Sequence, residues 1–209
     1  RDLHSFPTRR SSDLAAYRVP IERVHRIFDE CKRRGVTSVA IMLTNDPDEM
    51  IELAREVRPD ILHIAGDGYA ADEAFAARLK EAAPNTKLMQ AVLVDDESAV
   101  NRAKKYAQYC DLILTDSGLA PDTGIGASGL THDWSIDARI VAECGKPVIM
   151  AGGLGPDNVA EAIEQCKPYG VDSLTKTSIK YDGGYMEKDI DKVRQFCINA
   201  DAAAAKIGQ

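Results

Sequence analysis

The chain has 209 residues, the length of one large domain or two small ones. Its formal net charge of −7 argues against a nucleic-acid partner, and its hydrophobic content of 44% is ordinary for a globular protein. No apolar run approaches the roughly 18 residues of a membrane span, so the sequence predicts none.

The five cysteines are scattered, without a C-x-x-C pair or the spacing of metal ligands. An odd, unpaired set is more typical of reduced thiols in a cytoplasmic protein than of a disulfide framework. We therefore predict a cytoplasmic protein without a metal centre.

The first fourteen residues, RDLHSFPTRRSSDL, differ from the rest, because serine and arginine cluster there without an apolar face. The stretch resembles a translated sequencing adapter. We predict that residues 1–14 are a non-native leader and leave them out of the fold. Residues 15–209 are predicted to form a single domain that lacks its natural N-terminal part.

Beyond this segment, strand and helix patterns alternate. Strands are predicted at residues 37–43, 60–66, 87–94, 111–117, 147–153 and 171–178. Helices are predicted at residues 20–35, 46–59, 71–84, 96–110, 135–145, 155–170 and 187–205. Strict alternation with nearly continuous apolar strands indicates an α/β fold, in which helices cover a parallel sheet.

A closed barrel and an open doubly wound sheet both fit this alternation. Most predicted strands end in small or polar residues, such as Asp116 and Gly152. In a barrel all these ends meet at one mouth, whereas in an open sheet only those near the switch point meet. A G-x-G-x-x-G motif after the first predicted strand is absent. We therefore predict a TIM (βα)8 barrel.

Two loops carry groups suited to a phosphate. In AGGLGPDN, Gly152 and Gly153 allow a ligand close to the backbone, and the amides of the following helix start favour an anion. The next strand end, LTKTS, adds the hydroxyl of Thr175 and the ammonium of Lys176. Such neighbouring loops commonly form the phosphate site of a barrel. The alternative is a plain turn beside a solvated lysine.

Asp116 is the candidate catalytic residue. It ends an apolar strand, so burial should raise the pKa of its carboxyl and suit it to proton transfer. The alternative is a carboxylate that caps the amides of the next loop. His63 lies within an apolar strand and is predicted to be a core histidine with its hydrogen bonds satisfied. His132 fits either a core or a site position.

The stretch GIGASGLTHDW, residues 124–134, starts with small residues and ends in a defined anchor. Thr131 and Asp133 are expected to cap the next helix. Trp134 is expected to pack the first turn of that helix against the barrel. The alternative is a disordered linker, but the capping residues and the tryptophan at the end of the stretch argue against it. We predict a lid whose substrate-binding amides belong to Gly126, Ser128 and Gly129.

Four segments in order, DLILTDS, GASGLTHDW, PVIMAGGLGPDNVAEAI and YGVDSLTKTS, resemble phosphoribosylanthranilate isomerases, a family of ribulose-phosphate-binding barrels. Members carry a leucine-rich strand ending in Asp, a G-G-T-G-x-T-F-D-W loop, an A-G-G-L-x-P-x-N-V turn and a G-V-D-x-S-S-G strand. The resemblance covers about residues 60–200. Its most specific parts are the A-G-G-L and D-W elements.

This resemblance implies an isomerase of tryptophan biosynthesis. The family converts an aminoaldose to an aminoketose by an Amadori rearrangement, without metal or cofactor. An Asp protonates the ribose ring oxygen, and a first-strand Cys removes the C2 proton. Asp116 stands at the position of the acid, and the phosphate-binding positions fall on Gly152, Gly153, Thr175 and Lys176. The implied partner is a small sugar phosphate, and the chain is a monomer or a homodimer.

Several positions depart from the family pattern. Ala65 stands where the family has His, Leu130 replaces a frequent Lys, and Thr175 and Lys176 replace a Ser-Gly pair. The first strand, with its K-I-C-G motif, has no counterpart. We therefore predict an incomplete barrel of six strands, corresponding to strands three to eight. Arg18 is the candidate for binding the anthranilate carboxylate.

Without the cysteine base, the rate is expected to fall about 10²–10⁴-fold. Two other functions stay open. Ala65 and Lys176 suit another sugar-phosphate enzyme on the same barrel, and the missing base suits a non-catalytic phosphate-ester-binding paralogue.

Overall fold

The computed structural model describes residues 4–8, 19–42, 44–65, 68–120, 124–125, 131–182 and 186–208. The chain divides into two compact units, the first of residues 1–91 and 106–112, the second of residues 92–105 and 113–209. Elements that cross a boundary are named below with the unit that holds most of their residues. In the described ranges, no helix is both long and apolar enough to span a membrane.

The first unit alternates parallel strands with helices. Its strands are β1 (His4–Thr8), β2 (Ser38–Met42), β3 (Ile61–Ile64) and β4 (Lys87–Leu93). Its helices are α1 (Ile21–Arg34), α2 (Pro47–Val57) and α3 (Glu73–Ala82). Strand β2 pairs in parallel with β1 and β3, and β3 pairs in parallel with β4. Leu62 stands opposite Ala40 on one side and Leu88 on the other.

Local sequence explains where these helices begin and end. Asp46 accepts hydrogen bonds from the amides of Asp48 and Glu49, and Pro47 occupies the first turn of α2, where no amide is needed. Helix α1 ends at Gly35 in the left-handed conformation, with φ of 69°. Both boundaries agree with the sequence prediction.

Strand β1 lies in the segment that the sequence prediction left out of the fold. Its five residues pair in parallel with β2, from His4 opposite Ser38 to Thr8 opposite Met42. The structure therefore adds a strand to the six that were predicted. That residues 1–14 are a non-native leader concerns their origin and stays a prediction.

The second unit contains α4 (Ser98–Tyr106), β5 (Leu112–Asp116), β6 (Leu119–Ala120), β7 (Gly124–Ile125), α5 (Trp134–Glu143), β8 (Val148–Met150), α6 (Val159–Cys166), β9 (Gly170–Val171), β10 (Ser178–Lys180), β11 (Met186–Lys188) and α7 (Ile190–Lys206). Strand β8 pairs in parallel with β5 and with β9, so that Met150 stands between Thr115 and Val171. Two antiparallel pairs, β6 with β7 and β10 with β11, were not predicted.

An apolar cluster holds this unit together. Helices α6 and α7 pack side by side over the end of β8, and the buried members are Met150, Leu154, Val159, Ala162, Ile163, Cys166, Phe196 and Ala203. Trp134, the first residue of α5, packs against the cluster, and Asp133 caps that helix through the amide of Ser135. The predicted anchoring by Trp134 and Asp133 is confirmed.

The prediction of a strand over residues 171–178 was wrong in its extent. Strand β9 has two residues, and Thr175–Thr177 form a 3₁₀ turn. The hydroxyl of Thr177 donates to the carbonyl of Ser173 at 3.1 Å, and that of Ser178 donates to the carbonyl of Leu174 at 2.6 Å. Such local side-chain bonds compete with a sheet ladder, which explains why the strand stops.

Candidate active site

The carboxyl ends of β5, β8 and β9 form a cleft in the second unit. These strands are parallel neighbours, so their ends lie at one edge of the sheet. Asp116 ends β5, Gly152 and Gly153 follow β8, and Asp172 follows β9. The empty space measures about 280 Å³, and its lining residues are Asp116, Ala151, Gly152, Gly153, Leu154, Asp172, Ser173, Leu174, Thr175 and Lys176.

Asp116 carries a carboxyl whose pKa is strongly raised in this cleft. Its pKa is raised from 3.8 to about 7, mainly by burial, and the negative charges of Asp172 and Asp137 contribute to that rise. The amide of Ser117, which donates to Oδ1 at 2.7 Å, and the nearby His132 act in the opposite direction. The carboxyl is therefore partly protonated near neutral pH, as proton transfer requires. The alternative capping role is also visible in the Ser117 contact.

The double glycine forms the wall of the cleft. Gly152 and Gly153 have φ of 87° and 66°, a region that other residues seldom adopt. The expectation of free amides at the start of α6 was wrong for Gly155, because its amide donates to Asn158 Oδ1 at 2.8 Å. Helix α6 itself begins only at Val159.

Thr175 and Lys176 also line the cleft, although they lie in the 3₁₀ turn and not on a strand. Lys176 is exposed, and its side chain passes close to Gly155, where an added Cβ would lie 2.8 Å from the lysine Cβ. The structure therefore brings together Asp116, the double glycine and the two turn residues, as the sequence predicted.

Lys188 supports this turn, a role that the sequence prediction missed. Its Nζ donates to the carbonyls of Ser173 and Leu174 and to Thr177 Oγ1, at 3.0, 3.3 and 2.9 Å. Burial lowers the pKa of Lys188, and the charge of Asp172 opposes that shift. Burial likewise raises the pKa of Asp172. The one sequence signal near this turn was the G-V-D motif, whose Asp is Asp172.

A buried hydrogen-bonded chain lies behind Asp116. The hydroxyl of Thr115 donates to Asp137 Oδ1, and the Nε2 of His132 bonds to Asp137 Oδ2. The Asp137 side chain is 0% exposed and that of His132 is 7% exposed. His132, which the sequence left between core and site, is therefore part of the wall behind the cleft. An Asp at position 137, in the first turn of an amphipathic helix, gave no signal of this role.

Four predicted site residues, Arg18, Gly126, Ser128 and Gly129, lie outside the described residues, and so does Leu130. His63 is buried in β3, and burial lowers its pKa to about 4. The prediction that its hydrogen bonds are satisfied was wrong, since its buried Nε2 has no partner among the described residues. Ala65 follows the same strand, and its amide donates to the carbonyl of Met42.

The structure describes all five cysteines, and none of them follows the carboxyl end of a strand. Cys31, Cys166 and Cys197 lie in helices, Cys144 caps α5, and Cys110 precedes β5. Burial raises the pKa of Cys166 to about 12, which disfavours the thiolate. No cysteine of this chain therefore stands where a strand-end base would lie.

Comparison with known proteins decides the family. Residues 10–199 match the family described as N-(5'-phosphoribosyl)anthranilate (PRA) isomerase. The chain belongs to the PRA isomerase family. A PRA isomerase of Haloferax volcanii is 36% identical over 189 residues, which cover 90% of this chain and 79% of that protein. One of Methanocella arvoryzae is 33% identical, over 77% of this chain and 71% of that protein.

Solved PRA isomerases share the fold. The enzyme of Thermotoga maritima has a TM-score of 0.74 at 23% identity, and the match covers 96% of this chain and 88% of the other. That of Pyrococcus furiosus has a TM-score of 0.70 at 20% identity, with the same coverage. The prediction of an incomplete TIM barrel, and not an open doubly wound sheet, is confirmed.

Proposed function

We propose that this PRA isomerase family member acts on N-(5'-phosphoribosyl)anthranilate and forms the aminoketose of tryptophan biosynthesis. The observation that carries the proposal is Asp116, whose pKa of about 7 lets it hold a proton in the same cleft as Gly152 and Lys176. A solved PRA isomerase is in complex with reduced 1-(o-carboxyphenylamino)-1-deoxyribulose 5-phosphate. That complex supports a phosphorylated, anthranilate-bearing substrate.

Asp116 supplies the proton of the first step. It protonates the ribose ring oxygen while the bond from that oxygen to C1 breaks, and the nitrogen lone pair forms a C1=N bond. Asp116 is left as a carboxylate. A water molecule then accepts the C2 proton, while the C2–H electron pair moves into a C1=C2 bond and neutralises the nitrogen. The resulting enolamine tautomerises to the aminoketose. The chain's cysteines do not supply the base for the second step.

The phosphate of the substrate is held at the other wall of the cleft. Gly152 and Gly153 let the phosphate oxygens approach the backbone, and Lys176 supplies a positive charge on a flexible stem. Thr175 adds a hydroxyl group. The lid amides of Gly126, Ser128 and Gly129, and the carboxylate-binding role of Arg18, rest on the sequence motif alone.

Binding and turnover test this proposal separately. Calorimetry with the reduced product analogue and with ribulose 5-phosphate measures the preference for the anthranilate group, and loss of substrate fluorescence measures turnover. We expect tighter binding of the analogue and a slow turnover that Asp116→Asn abolishes. Equal binding of both ligands would favour another sugar-phosphate enzyme. Tight binding of the analogue, with no turnover above the uncatalysed background, would favour a non-catalytic binding protein.

We also propose a homodimer located in the cytoplasm. The PRA isomerase of Thermotoga maritima is described as dimeric, and four of the five cysteines are buried free thiols, as a reducing compartment allows. Sedimentation velocity is expected to give the mass of two chains. A single species at the monomer mass across the micromolar range would contradict the dimer.

A further inference from the structure

The carboxylate of Asp137 is fully buried and fully engaged. One oxygen accepts the hydroxyl of Thr115, and the other bonds to Nε2 of His132. A buried carboxylate is costly unless hydrogen-bonded groups surround it. Asp137 therefore accepts the Nε2–H of His132 and sets the orientation of the ring. The other ring nitrogen, Nδ1, is left for a different contact.

Nδ1 of His132 faces the wall of the cleft. A Cβ added to Gly152 would lie 2.8 Å from this nitrogen and 3.0 Å from the hydroxyl oxygen of Ser117. Nδ1 is buried and has no hydrogen-bond partner in the described part of the chain. A buried polar atom without a partner carries a free-energy cost and is seldom kept for packing alone. Its place against Gly152 points to a role in the site.

The chain of contacts includes one sequence neighbour of Asp116, Thr115, and lies close to the other, Ser117. Thr115 is bound by Asp137, while Ser117 and the ring of His132 converge on Gly152. Of the charged groups around Asp116, Asp137 on α5 and Asp172 after β9 disfavour its carboxylate, and His132 favours it. Near His132 itself stand Asp137 and, at the start of the same helix, Asp133.

We propose that His132, oriented by Asp137, is a positioning residue that controls the proton on Asp116. The proposal rests on the isomerase function above only for its catalytic consequence. When Asp116 gives its proton to the sugar, it becomes a third carboxylate in a small volume. His132 offsets this charge through the buried wall, where Coulomb interactions are stronger than in water. No proton passes between the two residues.

The test measures the titration of the Asp116 carboxyl directly, by carbon-13 NMR of the ligand-free protein. His132→Phe fills a similar volume without either nitrogen, and His132→Gln keeps a donor for Asp137 without a charge. Both are expected to raise the pKa of Asp116 by about one unit. His25→Phe, a change at an exposed histidine of α1, should leave it unchanged. An unmoved Asp116 in both His132 variants, with native folding, overturns the proposal.

Kinetics give the second measurement. The two His132 variants should move the descending limb of the pH profile of kcat upward by about one pH unit, with little change in KM. A shifted Asp116 titration without any turnover would refute the isomerase function and keep the role of His132. Asp116-dependent turnover without a shifted titration would refute the role of His132 and keep the isomerase function. A lowered melting temperature with an unmoved pKa would indicate a purely structural histidine.

Discussion

The imidazole of His132 lies against the bare Cα of Gly152, so closely that a Cβ there would meet Nδ1 at 2.8 Å and Cε1 at 2.9 Å. Gly152 also has φ of 87°. Two separate constraints, one conformational and one steric, therefore require glycine at this position of the cleft.

Gly152→Ala is expected to destabilise the protein by roughly 2–3 kcal/mol, because it adds a clash to the strain of a positive φ. Gly145→Ala is the matched control, since Gly145 has φ of 72° with nothing within 4 Å of an added Cβ. Urea unfolding should show that the free energy of unfolding of the control falls by about 1 kcal/mol. Equal costs for the two variants would show that the His132 contact imposes no constraint.

The raised pKa of Asp116 predicts a pH-dependent stability. Its folded-state pKa of about 7 lies above the ordinary 3.8, so the native state binds more protons than the unfolded chain between these values. This contribution is fully present below about pH 4 and is lost as the pH rises through about 7. The free energy of unfolding of Asp116→Asn relative to wild type should therefore increase by roughly 4 kcal/mol from pH 4 to pH 8.

The control for this measurement is Asp201→Asn, at an exposed position of α7. The difference in the free energy of unfolding between this variant and wild type should stay constant over the same range of pH. Urea unfolding at several pH values provides both curves. A flat curve for Asp116→Asn as well would mean that burial does not perturb this carboxyl.

Turnover is expected to fall as the pH rises through about 7, because Asp116 must carry a proton to open the ribose ring. The measurement is the pH profile of kcat from substrate fluorescence. Asp116→Glu should retain a descending limb, whereas Asp116→Asn should be inactive at every pH. A rate that holds constant to about pH 9 would assign the acid to another group.

Lys188→Met is expected to weaken binding of the product analogue about tenfold, because the change removes the charged hydrogen bonds that hold the 3₁₀ turn with Thr175 and Lys176. Lys180→Met, at an exposed lysine of the neighbouring strand, is the control and should bind normally. Calorimetry at constant ionic strength measures both. The same affinity in the two variants would show that the turn holds its shape without Lys188.

Local pattern predicted much of the fold and part of the site. Strand β5 ends at Asp116, and helix α5 is capped by Asp133, both as expected. These features depend on the alternation of apolar residues and on side chains that bond the backbone within a few positions. The extent of β9 was mispredicted because hydroxyls at Thr177 and Ser178 favour a turn that hydropathy does not register.

The sequence by itself determined the alternation of strands and helices, the burial of the strands and the acid at the end of β5, because each follows from residue spacing and side-chain polarity along the chain. Only the tertiary structure decided that Asp137 forms hydrogen bonds with Thr115 and His132, and that Lys188 donates hydrogen bonds to the turn beside Asp172. These contacts depend on how elements pack across a sheet edge. Packing of that kind leaves no periodic trace in the order of the residues.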